Sequence, residues 1–196
     1  MSLPSLPGEA ADQLDLLSVQ LDELKAYLLS PELFWPLGGR LGDTPRLTLG
    51  NLLINLRTLQ ARSENLAPPL QNRLARLESS WQRSREEWAA AISKKALQEM
   101  GARLNLWRGY LEDLDEGLGN RLNYATEVRN RVLFELLASL PPKDEEYENL
   151  RKAMRSLDER FASVSSPAPF TWNSAYSKAF PKDRFPALYR KPTQPV

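Results

Sequence analysis

Neither histidine nor cysteine occurs anywhere in the 196 residues. Without cysteine the chain can form no disulfide, no thiolate nucleophile and none of the usual structural zinc sites. Without histidine it lacks the commonest general base near neutral pH and the commonest nitrogen ligand of metals and haem. Ser-His-Asp hydrolysis, di-iron sites built on Glu-x-x-His and imidazole-ligated haem are therefore closed by composition alone. Long hydrophobic runs are missing too, since no stretch reaches the roughly 18 apolar residues that cross a bilayer. The opening MSLPSLPGEAADQLD has no basic start and no apolar core, unlike a secretory signal. These absences point to a cytoplasmic, non-enzymatic protein with no cofactor, no metal and no membrane partner.

Charge of one sign is lacking overall, with 26 Lys and Arg against 25 Asp and Glu, yet the charges are unevenly placed. Residues 1–29 carry Glu9, Asp12, Asp15, Asp22 and Glu23 against Lys25 alone. Residues 166–196 carry Lys178, Lys182, Arg184, Arg190 and Lys191 against Asp183 alone. Such an asymmetry steers a partner or draws the chain's own ends together.

What is present is helical periodicity. Leu14, Leu17, Leu21, Leu24 and Leu28 step by three and four and form one stripe. Ser30-Pro31 then reads as an N-cap and first helical position of a short new helix. FWPLGGRLGDTP (34–45) invites comparison with a phosphate cradle, but no lysine follows its glycines and no strand precedes them. It reads as a connector whose Thr44-Pro45 caps the next helix, with anion capture by Arg40 as the alternative. That helix, 45–62, has a leucine face and a polar stripe of Asn51, Asn55, Thr58 and Arg62, read as its wet side, with a buried hydrogen-bonding seam or a polar contact strip for a partner as the lesser alternatives.

A proline-free stretch from about 70 to 117 predicts one long helix. Its first stripe is Leu70, Leu74, Leu77, Trp81 and Trp88; its second is Leu97, Met100, Leu104, Trp107, Leu111, Leu114 and Leu118. The two are out of register by two residues, so the helix either breaks near 92–101 or turns different faces to different neighbours; continuity is the reading adopted. Gly117 and Gly119 end it. Helices over 120–140 and 143–164 follow, the last with Asp144, Glu145, Glu146 and Glu148 in its first turn. The expected fold is all-α, a bundle of about five helices including one long one over residues 1–165, with an extended Pro-rich aromatic C-terminal tail at 166–196.

Candidate chemistry is thin. The acids of EDLDE (112–116) lack the spacing of a calcium loop, and Glu78–Arg85, Glu99–Arg103 and Glu112–Arg108 read as helix-surface ion pairs. Trp81, Trp88 and Trp107 read as core, with a ligand pocket inside the bundle as a lesser alternative. The tail is more informative, because solvated tails are poor in aromatics. Phe170, Trp172, Tyr176, Phe180, Arg184, Phe185 and Tyr189 are its candidate partner-binding residues. They would pack on the chain itself, dock another protein or a second copy, or bind nucleic acid together with Arg40 and Arg46. Near-zero net charge weighs against the last. The function expected is that of an interaction or adaptor protein acting through helix faces and this tail.

Overall fold

The computed structural model describes residues 10–37, 46–117 and 123–193. Across them the protein is all-α, with one short two-stranded ribbon near the C-terminus. The chain forms two compact units that divide between Glu99 and Met100, within the fifth helix.

In the first unit, α1 (Ala10–Asp22) and α2 (Leu24–Leu29) share the leucine stripe. Leu14, Leu17, Leu24 and Leu28 are buried, and α1 packs on α3 (Leu49–Ala61) and α4 (Pro68–Glu87). The bend at Glu23 leaves the hydrogen-bond ladder running, with the Glu23 amide on Val19 O at 3.1 Å and the Tyr27 amide on Glu23 O at 3.0 Å. Ser30 closes a helix rather than opening one. Its hydroxyl donates to Tyr27 O at 2.9 Å and accepts the Glu32 amide at 3.2 Å. No helix follows among residues 31–37.

The connector's Gly38, Gly39, Arg40, Gly42, Thr44 and Pro45 lie outside the described residues. On either side of them, Trp35 and Leu47 pair as an antiparallel bridge with N···O distances of 3.0 and 2.8 Å. The next helix begins four residues later than expected, at Leu49, because Thr48 is the residue that caps it: its hydroxyl accepts the Asn51 amide at 3.1 Å. The polar stripe of α3 is not its wet side. Asn55 and Thr58 are buried, and Asn55 donates to Gln13 O and Gln20 Oε1 of α1, whose side chains are buried as well.

The long helical stretch is interrupted, but at Trp88 rather than at 92–101. Trp88 (φ −113°, ψ 26°) ends α4, and α5 then runs unbroken over Ala89–Asp115. Among the described residues the expected five helices become seven α-helices, because the first divides at Glu23 and the long one at Trp88. The change of stripe register is thus absorbed at one residue.

The second unit holds the rest of α5, α6 (Tyr124–Leu137), α7 (Glu145–Ser163) and the C-terminal segment. Gly117 adopts φ 71°, a left-handed conformation that suits glycine at a helix end. Gly119, Leu118 and Leu122 lie outside the described residues. Asp144 caps α7 by accepting the Tyr147 amide at 2.9 Å, and Glu145, Glu146 and Glu148 complement the helix dipole. The core is aromatic. The fully buried Trp107 stacks on Tyr110 (centroids 5.5 Å apart) and meets the edge of Phe161 at 5.2 Å, while Tyr124 stacks on Phe161 at 5.6 Å.

Helices α6 and α7 are also tied by ions. The Arg131 guanidinium grips Asp158 through two bonds of 2.7 and 3.0 Å and reaches Glu135 at 3.2 Å. Arg151 binds Glu135 from the other side at 2.8 Å. Burial works against the charge on Arg131, but Asp158 and Glu135 outweigh it and hold its pKa above the ordinary value.

Candidate functional site

The C-terminal segment is folded, and it is folded onto its own unit. Ser165–Pro167 (β1) pairs antiparallel with Arg190–Pro192 (β2). Arg190 locks this closure by donating to Ser165 Oγ at 2.8 Å, Ser165 O at 2.6 Å and Ala162 O at 2.9 Å. Between the strands lie two 3-10 turns, Ser174–Ala179 and Pro186–Tyr189. Two bonds fasten the segment to the start of α6. Trp172 Nε1 donates to Ala125 O at 2.8 Å, and the Tyr124 hydroxyl donates to Ala187 O at 2.5 Å. Burial, then neighbouring Tyr110, push the Tyr124 phenol pKa well up, with Arg190 opposing, so the hydroxyl stays a donor.

The seven candidate partner-binding residues separate by exposure. Trp172, Tyr176, Phe180 and Phe185 are buried; Phe170 and Tyr189 are half-buried; Arg184 is exposed. The rings form one chain of contacts: Phe170–Trp172 at 6.4 Å, Trp172–Phe180 at 5.2 Å and Phe180–Phe185 at 5.2 Å, with Tyr189 against Phe170 at 5.3 Å. Aromatics on the inside leave cations on the outside. Lys178, Lys182, Arg184 and Lys191 are all exposed, and none has a salt-bridge partner among the described residues.

Charged residues inside the first unit were not foreseen. Lys95 and Glu99 lie one turn apart on α5 and are buried. Lys95 Nζ donates to Glu32 O at 2.6 Å and sits 4.6 Å from the Tyr27 ring, fastening the segment after α2 to α5. Burial pulls its pKa below the usual lysine value; Glu32 opposes this and Lys94 adds to it. Glu99, fully buried, accepts the Gly50 amide at 2.9 Å. Its carboxylate therefore occupies the N-terminus of α3, where a bound anion would otherwise sit. With the Asn51 amide on Thr48, two helix-start donors are already engaged, which argues against the anion-capture alternative for this helix start. Glu99 and Arg103, expected on the helix surface, are both buried, and Arg103 donates to Asn130 Oδ1 at 3.2 Å. A signal was available in the steps of four from 95 to 99 to 103, interleaved with the apolar Ile92, Ala96, Met100 and Leu104.

Asn130 in turn donates to Glu127 Oε2 at 3.4 Å. Burial, then Asp113, raise the Glu127 pKa above 4.5, against the lowering effect of Asn130. A raised carboxyl pKa means the folded state prefers the proton, so this contribution to stability is present at low pH and lost as pH rises through the folded value. Glu127→Gln is accordingly expected to raise the melting temperature by a degree or so at pH 7. That advantage should vanish below about pH 4.5, where Glu127 is protonated in both states; thermal melts of the two proteins across this range check it.

No group of three or more carboxylates suited to a metal ion occurs among the described residues. In the 112–116 cluster, Asp115 is taken by Arg160 at 2.5 and 2.8 Å. No helix among the described residues is long and apolar enough to cross a membrane. Comparison with protein-family models, curated proteins and solved structures found no match to the chain.

Proposed function

We propose that this is a cytoplasmic, non-enzymatic interaction protein, an adaptor that works through helix faces and its folded C-terminal segment. One observation supports the reading above others: after Ser165 four of the rings are buried, Trp172 bonding to α6, while four cations without a salt-bridge partner among the described residues stay exposed. Charges presented in this way contribute little to a fold, since exposed cations are worth only tenths of a kcal/mol to stability. They contribute far more to encounter and orientation with a partner of opposite sign.

The reading is tested by site-specific photo-crosslinking in living cells. A photoreactive residue is placed in turn at Lys182 in the C-terminal segment, Arg76 on α4 and Lys152 on α7, all exposed. A discrete protein adduct at one or more of these positions is the expected result. Absence of any adduct at all three positions would overturn it.

A further inference from the structure

Within the C-terminal segment, the four residues Pro181–Arg184 are exposed and bracketed by two buried phenylalanines. Phe180 is 0% exposed and Phe185 3%, and their rings meet edge to face at 5.2 Å. Both ends of the turn are thus anchored in the same apolar cluster. The backbone is closed across it: the Arg184 and Phe185 amides both donate to Pro181 O, at 3.2 and 2.9 Å, and the Phe180 amide donates to Ser177 O at 3.1 Å. Pro181, whose carbonyl accepts both amides, has its own φ fixed by its ring, which limits backbone freedom at the entry to the turn.

The cations are held as well as displayed. The Arg184 guanidinium lies 5.5 Å from the centroid of the Phe185 ring, so one face is covered while its N–H edge remains available for a bidentate carboxylate. Lys182 stands two residues before it on the same turn, and Lys178 precedes both on the 3-10 turn Ser174–Ala179. A pre-ordered turn loses less conformational freedom on binding than a flexible tail does.

We infer that the turn Pro181–Arg184 is a docking epitope for a carboxylate-rich segment of a partner protein, with Arg184 and Lys182 as its contact residues. This rests on the interaction reading above. A protein segment is favoured over a single-stranded nucleic acid because the rings that would stack on bases are engaged inside the unit. Trp172, Tyr176, Phe180 and Phe185 are buried, and Phe170 and Tyr189 lean on one another. Asp183, between the two cations, opposes any anionic ligand and sets a ceiling on affinity that can be lifted by mutation.

The probes are a short fluorescent peptide rich in Glu and Asp and a single-stranded oligonucleotide of equal length, titrated against the full chain. The wild-type protein is expected to bind the peptide more tightly than the oligonucleotide, with amide shifts in NMR spectra concentrated over residues 178–191. Lys182→Ala with Arg184→Ala should weaken the peptide about tenfold, and Asp183→Asn should strengthen it about two- to threefold, with melting temperatures unchanged. A gain of affinity cannot come from failed folding, so Asp183→Asn keeps the test open even if the double variant is destabilised. Equal binding by all three proteins, or tighter binding of the oligonucleotide, would overturn the inference. Crosslinks from Arg76 or Lys152 but none from Lys182 would sink the turn and leave the interaction reading intact; no adduct anywhere would remove that reading itself.

Discussion

A chain ending at Ser165 is expected to lose the cooperative unfolding transition of its second unit. Removing the last residues deletes Trp172, Tyr176, Phe180, Phe185 and Leu188, all buried. At about 1.5–3 kcal/mol for each buried large apolar side chain, the loss is on the order of 10 kcal/mol. That is as much as the whole stability of a typical domain. It is an upper figure, because unfolded chains already bury part of their apolar surface, but a halved value would still suffice. Two further losses sharpen the effect: Ala125 O and the Tyr124 hydroxyl both surrender their partners, Trp172 Nε1 and Ala187 O. Near-UV circular dichroism and a thermal melt of the truncated chain check the prediction. A sharp transition within a few degrees of the intact protein would mean the segment is an ornament on a unit that stands without it. A consequence for binding experiments follows directly. Deleting the segment to abolish a contact would abolish the unit beneath it, so point changes at Lys182 and Arg184 are the cleaner perturbation.

The second large effect is expected at Arg131. Arg131→Ala removes a guanidinium that makes two bonds to Asp158 and one to Glu135, and leaves both acids behind. The Arg131 and Glu135 side chains are only 10% and 15% exposed, whereas Asp158 is 34% exposed and can recover some hydration. Breaking a buried pair from one side costs roughly 3–5 kcal/mol, and the exposure of Asp158 places this case at the lower end. Arg131→Met combined with Asp158→Leu should recover much of that loss, because an apolar replacement of similar volume leaves no charge stranded. Glu135 keeps Arg151 at 2.8 Å in either case. Urea denaturation of wild type, Arg131→Met, Asp158→Leu and the double variant measures the coupling, together with Arg131→Ala for the truncation cost. Additive costs would show that the network contributes nothing as a unit.

Much of the helical layout was legible because it depends on local spacing. Leu14, Leu17, Leu24 and Leu28, and later Tyr147, Met154, Leu157 and Phe161, advertise a buried face whatever lies opposite. Gly117 likewise marked a helix end by a conformation that other residues resist. What escaped were polar groups whose burial depends on a distant partner. Asn55 reads as wet until Gln13 and Gln20 are set against it, and Glu99 reads as a surface acid until the start of α3, 49 residues earlier, is brought to its carboxylate. The seam is not even fully satisfied: Gln13 Nε2, Gln20 Nε2 and Asn55 Oδ1 have no hydrogen-bond partner among the described residues, and no periodicity predicts such an arrangement. Trp88 escaped for another reason, since the hydrogen-bond ladder continues on both sides of it (Trp88 amide to Ser84 O and Ile92 amide to Trp88 O, both 2.9 Å) and only its own torsions change. For the candidate site, composition revealed that the C-terminal aromatics needed something to bury. It did not reveal which side chains would be left over, because that sorting follows from two 3-10 turns that carry no repeat.

The pairing of Arg190–Pro192 with Ser165–Pro167 has a bearing on how the protein is made. The helices of the first unit precede this pairing in the chain, so that half can assemble on the ribosome before β2 has been made. The other half must wait, with the Tyr124 hydroxyl and Ala125 O lacking the partners that Ala187 and Trp172 bring, until β2 emerges. Its nascent form, rather than its finished one, is where a chaperone would be needed.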